Sequence, residues 1–239
     1  MALQFTQSGD SLSNAVTAGV NFQNAASAST ITCWINAPWS GATHSYVGLY
    51  DEKQRASLGT STAIQLGSRT VNTFDVWTWG GGILVTSSIP TTPGAWVFLA
   101  YTFDGTTHRC YVNGVLGGSS TAAQLTGNFD SVYLNGYSGS GSSETATFQL
   151  DTYNYYNRAL SAAELLTMYT SKGNRHGIVF GSLTRYEFDG GAMGSSVTTV
   201  PNLTNFSSAN SNLAPIVPAG STRVSYIAGF AGGNLRPGA

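Results

Sequence analysis

The sequence predicts an all-β fold: a two-sheet antiparallel sandwich with one short helix and an extended C-terminal segment. Three observations carry this. Short runs with period-two alternation recur at close, regular spacing. Asp-Gly and Asn-Gly pairs punctuate them, as tight hairpin turns require. One segment only, 154–173, carries the start and stop signals of a helix.

The elements follow in order. "LQFT" and "TITCWIN" read as the first strands, and in the second Ile31, Cys33 and Ile35 alternate with Thr32, Trp34 and Asn36. "HSYVGLYD" and "STAIQLGS" come next. "TFDVWTW" and "GILVTSSI" are joined by Gly80-Gly81-Gly82, a natural hairpin turn. "AWVFLAYTFDG" and "THRCYVNGVL" form the clearest hairpin: Asp104-Gly105 makes its turn and Asn113-Gly114 begins the next. "SVYLNGY" and "ATFQLDTYNYY" complete roughly ten strands, the pattern of a sandwich or barrel.

The helix follows. Ser161 is its N-cap and Glu164 completes an S-x-x-E capping box, while Leu160 and Leu165 have hydrophobic-staple spacing. Leu165, Leu166 and Tyr169 can form an apolar stripe, and Lys172 and Gly173 suit the C-terminal end. Such an element is expected to plug one end of the β core.

Composition bounds the function. The 239 residues are 41% hydrophobic, enough for a large core. Net charge is −1 and charged residues make up 9%, against the usual quarter, so the basic face of a nucleic-acid binder is missing. "MALQFTQSGD" has no secretory-leader pattern, and the absence of any run of 18 apolar residues argues against a membrane span. Ser, Thr, Asn and Gly must form most of the polar surface, which suits assembled shells or extracellular modules. Cys33 and Cys110 exclude a disulfide framework; they read as buried reduced thiols, with one bridge between neighbouring strands as the alternative.

"WVFLAYTFDGTTHRCYVNGVLGGS" resembles the central hairpin of laminin-G-like, concanavalin A-type jelly rolls: a Trp before an apolar strand, a D-G turn and a Y-V-N-G strand end. "FQLDTYNYYNRALSAAEL" resembles their closing strand and short helix, "LQFTQSGDSLSN" their opening strand and "STITCWINAP" their first long core strand. The resemblance covers about residues 2–172 and implies a two-sheet jelly roll over residues 1–173, with the helix as scaffold. Residues 174–239 are then a C-terminal extension. Its last part, "LAPIVPAGSTRVSYIAGFAGGNLRPGA", is rich in Gly, Pro and Ala. Ile216, Val217, Val224, Tyr226, Ile227 and Phe230 need burial, either on the chain's own sandwich or, as an assembly arm, on another subunit.

Catalysis is not expected. Glycoside hydrolysis needs two carboxyl groups about 5–10 Å apart. Asp51-Glu52 is followed by Lys53 and Arg55, Glu144 lies in a Gly/Ser loop, and Glu187 and Asp189 fall beyond the sandwich. His44, His108 and His176 are scattered. No cofactor is expected. Calcium is the one ion the resemblance implies: some such modules hold it at a rim, and Asp151 occupies the position of the first acidic residue of the closing strand, although Thr152 replaces the second. Asp10 and Asp130 are further loop donors, and a turn-capping role for Asp151 is the simpler reading. Trp77 and Trp79 share a face of "DVWTW", and Trp39 follows Pro38; their rings either stack on sugars or pack in the core, the default for Trp in a sandwich.

The function expected is therefore that of a non-enzymatic structural or interaction protein. A phage virion component fits, as a capsid decoration protein or a tail-associated adhesin, made in the host cytoplasm and bound to other virion or homo-oligomer subunits. This rests on fold-level analogy. The alternative is an extracellular carbohydrate-binding, lectin-like module.

Overall fold

The computed structural model describes residues 2–6, 11–14, 23–50, 63–78, 82–121, 125–136, 145–171, 182–186, 213–215 and 224–227. The chain runs β1 (Ala2–Phe5), β2 (Leu12–Asn14), β3 (Gln23–Asn24), β4 (Ser29–Asn36), β5 (His44–Tyr50) and β6 (Ala63–Ser68). It continues through β7 (Asp75–Trp77), β8 (Ile83–Thr86), β9 (Trp96–Phe103), β10 (His108–Val112), β11 (Val115–Ser120), β12 (Asn128–Phe129) and β13 (Ser131–Leu134). Then come β14 (Phe148–Tyr156), α1 (Ala162–Thr170), β15 (Ser182–Tyr186), β16 (Leu213–Pro215) and β17 (Val224–Ile227).

Two antiparallel sheets make the sandwich. The eight-stranded sheet has the order β11-β10-β9-β4-β14-β1-β17, with β15 also on β14. The seven-stranded sheet has the order β16-β2-β13-β5-β6-β7-β8, and β3 and β12 form a separate ribbon. Period-two alternation sends one side chain in two between the sheets. Leu3, Phe5, Ile31, Ile35, Leu99, Val112 and Leu150 meet Val47, Leu49, Ile64, Leu66, Val76, Val132 and Leu134 in one continuous core. Cys33 and Cys110 lie in that core as free thiols. Burial pushes both up in pKa, Cys110 to about 12, so they stay protonated small hydrophobes.

The turn residues behave as their chemistry dictates. Asn113 (φ 53°) and Gly114 (φ 79°) are both left-handed, as a two-residue hairpin requires, and Asn113 Oδ1 accepts from the Phe98 N–H at 3.0 Å. Asp104 takes the N–H groups of Thr106 and Thr107 and pairs with Arg109 across the same turn.

Strand β14 carries the one irregularity on which the eight-stranded sheet turns. Its register with β4 shifts between Asp151 and Tyr153, and Thr152 between them has φ 59°. Along one edge of β14, residues 148–150 pair with β1 and residues 153–156 pair with β15.

Helix α1 forms with the expected box: Ser161 Oγ accepts from the Glu164 N–H, and Glu164 accepts from the Ser161 N–H at 2.8 Å. Arg158 donates to the same carboxylate at 2.7 Å. The helix does not plug an end of the core. It lies on the outer face of the eight-stranded sheet, where Leu160 and Leu165 cover Trp34, Phe98, Ala100, Tyr111 and Tyr156. Its buried stripe also differs from expectation: Met168 and Tyr169 join Leu165, while Leu166 is 46% exposed. The stripe is narrow because the helix rests on a flat sheet face. Lys172 and Gly173 lie outside the described residues.

The extension contributes β15, β16 and β17 to the same two sheets. Val224, Tyr226 and Ile227 sit in β17 opposite Phe5, Leu3 and Ala2 of the chain's own β1. Leu213–Pro215 pair with Asn14–Leu12 of β2. This is the fold-back arrangement, in place of an arm reaching another subunit. Ile216, Val217 and Phe230 lie outside the described residues.

Two measurements check the helix. Ser161→Ala should cost about 1 kcal/mol in urea unfolding, the usual worth of a cap. Arg158, followed by the Ser161 N–H, holds the Glu164 carboxyl down to about 2. A depressed folded-state pKa stabilises above the unfolded value, and that contribution is lost as pH falls from about 4.5 towards 2. Glu164→Gln should therefore flatten the acid limb of the stability profile, and an unchanged limb would contradict the assignment.

Candidate functional site

The outer face of the eight-stranded sheet has two halves. Helix α1 covers the apolar half. Beside it the register sets Gln4 of β1, Gln149 of β14 and Asn36 of β4 side by side, with Trp96 of β9 next in the row. Adjacent strands lie about 4.8 Å apart, so the three amides span about 10 Å.

Their hydrogen bonds have a defined direction. Gln4 Nε2 donates to two backbone carbonyls, Phe5 O at 2.9 Å and Phe148 O at 3.3 Å. Carbonyls only accept, so this fixes which end of the Gln4 amide is nitrogen. Gln4 Oε1 then accepts from Gln149 Nε2 at 2.9 Å, and Gln149 Oε1 accepts from Asn36 Nδ2 at 3.2 Å. Every amide is oriented by the one before it. Chains of this kind polarise along their length, which strengthens the acceptor at the free end. That acceptor is Asn36 Oδ1, for which no hydrogen bond is seen among the described residues.

The row forms part of an open groove of about 330 Å³, lined also by Ala37, Pro38, Gly94, Thr147 and Phe148. Among the described residues no charged side chain lines it. The three amide-bearing residues are all half-buried, wet enough to reach a ligand and packed enough to hold their geometry. The arrangement can donate and accept several neutral hydrogen bonds at fixed spacing beside small apolar surfaces. Among the described lining residues there is no carboxyl, imidazole or thiol group.

Those sequence-predicted site residues that are described lie elsewhere. Trp77 is 2% exposed and is a packing residue: its ring lies against Gly67, where an added Cβ would come within 2.8 Å of it, with the Arg69 guanidinium 6.0 Å from the ring centre. The glycan-stacking reading of Trp77 is thereby corrected, because the ring has no free face. Trp79 lies outside the described residues. Trp39 is buried, edge-on to Tyr46. Asp151 is 1% exposed on the outer face, opposite Trp34. Among the described residues no group of three or more His, Cys, Asp or Glu could hold a metal ion. Asp130 is buried and accepts from Ser131 Oγ at 2.7 Å. Asp10, Asp51, Glu52, Glu144, His176, Glu187 and Asp189 lie outside the described residues.

His108 is buried and stacks on Phe103, with Nδ1 2.8 Å from Tyr101 Oη. The seven-stranded sheet has its own buried polar centre. Asp75 accepts from the Arg69 N–H, Thr73 Oγ1 and Thr86 Oγ1 at 2.7–2.9 Å. The Asp75 carboxylate is thus held by three donors and is structural.

Gln4, Gln149 and Asn36 escaped the sequence reading. Each is a polar outward position next to apolar core residues, in "LQF", "FQL" or "WIN". The alternation marks each as outward, but only the strand order reveals that they are neighbours.

The geometry agrees with what comparison finds. A family model described as the concanavalin A-like lectin/glucanases superfamily matches residues 9–166. The chain belongs to this superfamily. Among curated proteins, none matches. Among solved structures, a candidate carbohydrate-binding protein from Bacteroides ovatus is similar, with TM-score 0.62 and 15% identity over 95% of this chain. The chain spans 60% of that protein. A heptameric SAP-like pentraxin from Limulus polyphemus gives TM-score 0.50 and 14% identity, covering 70% of this chain and 81% of its own. The receptor-binding domain of botulinum neurotoxin D gives 0.52 and 13%, covering 73% and 45%. At these identities the likeness is one of fold. Within a concanavalin A-like sandwich, the two outer sheet faces differ sharply here: one carries the helix and the amide row, the other the buried Trp77–Asp75 surface. No helix among the described residues is long and apolar enough to cross a membrane.

Trp77→Ala should destabilise by about 3–5 kcal/mol, as for a large core truncation. Chemical denaturation checks this; a change under 1 kcal/mol would mean the ring is not packed and would return it to the candidate ligand surface.

Proposed function

We propose that the protein is a non-enzymatic binding module for neutral carbohydrate and that the amide row is its contact surface. The observation that carries this reading is the directed chain Asn36→Gln149→Gln4, presented along an open, uncharged groove. Sugar hydroxyls donate and accept at once, which matches side-chain amides. Half-buried Trp96, beside Asn36 in register and packed at the edge of the Trp34–Phe98 cluster, supplies an apolar neighbour suited to a sugar ring face. Superfamily membership admits both lectins and glucanases, and the structurally similar candidate carbohydrate-binding protein supports the lectin-like reading. So does the groove lining, which among the described residues contains no carboxyl group where hydrolysis would need two.

A second reading sets the module on a virion as a decoration protein or tail adhesin. Its support is the surface composition, with only 9% charged residues, which tolerates close packing against other subunits. The two readings are compatible, since an adhesin binds glycans. An extracellular location is the alternative setting.

A glycan array followed by calorimetry on the best hit tests the site. Asn36→Ala and Gln149→Ala should each weaken binding about tenfold, equivalent to about 1.4 kcal/mol, with the thermal transition nearly unchanged. Binding of anionic glycans only, or full affinity in both variants, would refute the assignment.

A further inference from the structure

We infer that the groove holds a linear, uncharged glycan by its internal units, laid across the strands with one unit per strand, and does not close on a single terminal sugar. The amide row remains the contact surface, so this ligand shape rests on the neutral-carbohydrate reading.

The groove crosses four chain segments. In the row nearer the helix, Gln4, Gln149, Asn36 and Trp96 stand opposite one another on β1, β14, β4 and β9. One step further along, Thr147, Pro38 and Gly94 line it on the segments that flank β14, β4 and β9. Those segments stay together past the ladders. Thr147 Oγ1 donates to Thr6 O at 3.3 Å, and the Gly94 N–H donates to Ala37 O at 3.1 Å. Three steps between strands give a length of about 14 Å, while one two-residue step along a strand gives a width of about 7 Å. The long axis therefore runs across the strands. At the strand spacing, about three pyranose units of an extended chain lie end to end along it.

The borders fit the same shape. On one long side the next outward row is Trp34 and Phe98, which lie beneath Leu160 and Leu165 of the helical segment. The helix is thus a wall parallel to the amide row. At the β9 end the groove has no wall: Gly94 has φ 72°, and a Cβ added there would meet no atom within 4 Å. A glycan chain runs out past Gly94, where a pocket for one terminal sugar would be closed. Gln4, Gln149 and Asn36 follow at intervals of one strand, so each successive unit meets a further amide. A terminal-sugar site would instead gather its polar groups around one ring.

Calorimetry on the full chain tests this, with neutral oligosaccharides of one to six units that share the linkage of the best neutral array hit. Affinity should rise about three- to tenfold per added unit, the worth of one net hydrogen bond, and level off beyond about three units. Gly94→Asn keeps a residue that tolerates positive φ and places a side chain at the open end. With its thermal transition checked, it should weaken the three-unit probe several-fold more than the one-unit probe. If the one-unit probe binds as tightly as the three-unit probe while Asn36→Ala still weakens both, the extended ligand is wrong and the amide row stands. Equal weakening of all lengths by Gly94→Asn would also overturn the extended ligand. If no neutral probe binds, or Asn36→Ala changes nothing at any length, the underlying carbohydrate reading fails and the ligand shape falls with it.

Discussion

The eight-stranded sheet depends on one backbone irregularity, the bulge at Thr152. A β-branched residue at φ 59° is unfavourable by its own chemistry, since its Cβ crowds the neighbouring carbonyl, and it persists only when its surroundings hold it. Its effect is on parity. Before it, Phe148 and Leu150 face the core and Gln149 faces out; after it, Tyr153 and Tyr155 face the core. Were Thr152 an ordinary alternating strand residue instead of a bulge, those two tyrosines would turn outward and spoil either the core or the outer face. The bulge thus lets one long strand carry an amide for the groove, two tyrosines for the core and Tyr156 for the helix. It also marks where β1 gives way to β15 along the same edge of β14.

The helix and the amide row are complementary solutions to one problem. An outer sheet face in a weakly charged protein must be either covered or hydrated. Trp34, Phe98 and Tyr111 are covered by Leu160, Leu165 and Met168, and the burial of those rings anchors a helix too short to persist alone. Gln4, Gln149 and Asn36 satisfy one another and the backbone, and remain accessible. A row already oriented before a ligand arrives loses little side-chain freedom on binding, which favours even weak neutral hydrogen bonds.

Much of the architecture was legible in the sequence, because it is written in local signals. The alternation in "TITCWIN", the Asp104-Gly105 and Asn113-Gly114 turns and the Ser161/Glu164 box each act within a few residues, and each appears as read. The site was not legible, because it is a property of register between strands that lie far apart in the chain. Gln4 and Gln149 meet across 145 positions, and nothing local to "LQF" or "FQL" announces it. Trp77 misled for the related reason that an outward position in a strand need not be exposed. The placing of Leu166 in the buried stripe failed similarly: sequence gives the period of a helix, but not the width of the surface it meets.

The account rests most heavily on the claim that the amide row is the ligand-contact surface. The most direct test is the side-chain NH2 region of a two-dimensional nitrogen–proton NMR spectrum, recorded while a neutral oligosaccharide is titrated in. The account predicts that the Asn36 and Gln149 amide resonances move first and saturate together, with Trp96 following. If those resonances stay still while Gln65 and the residues around Tyr133 on the other sheet move instead, ligand binds the opposite face and the central claim is wrong.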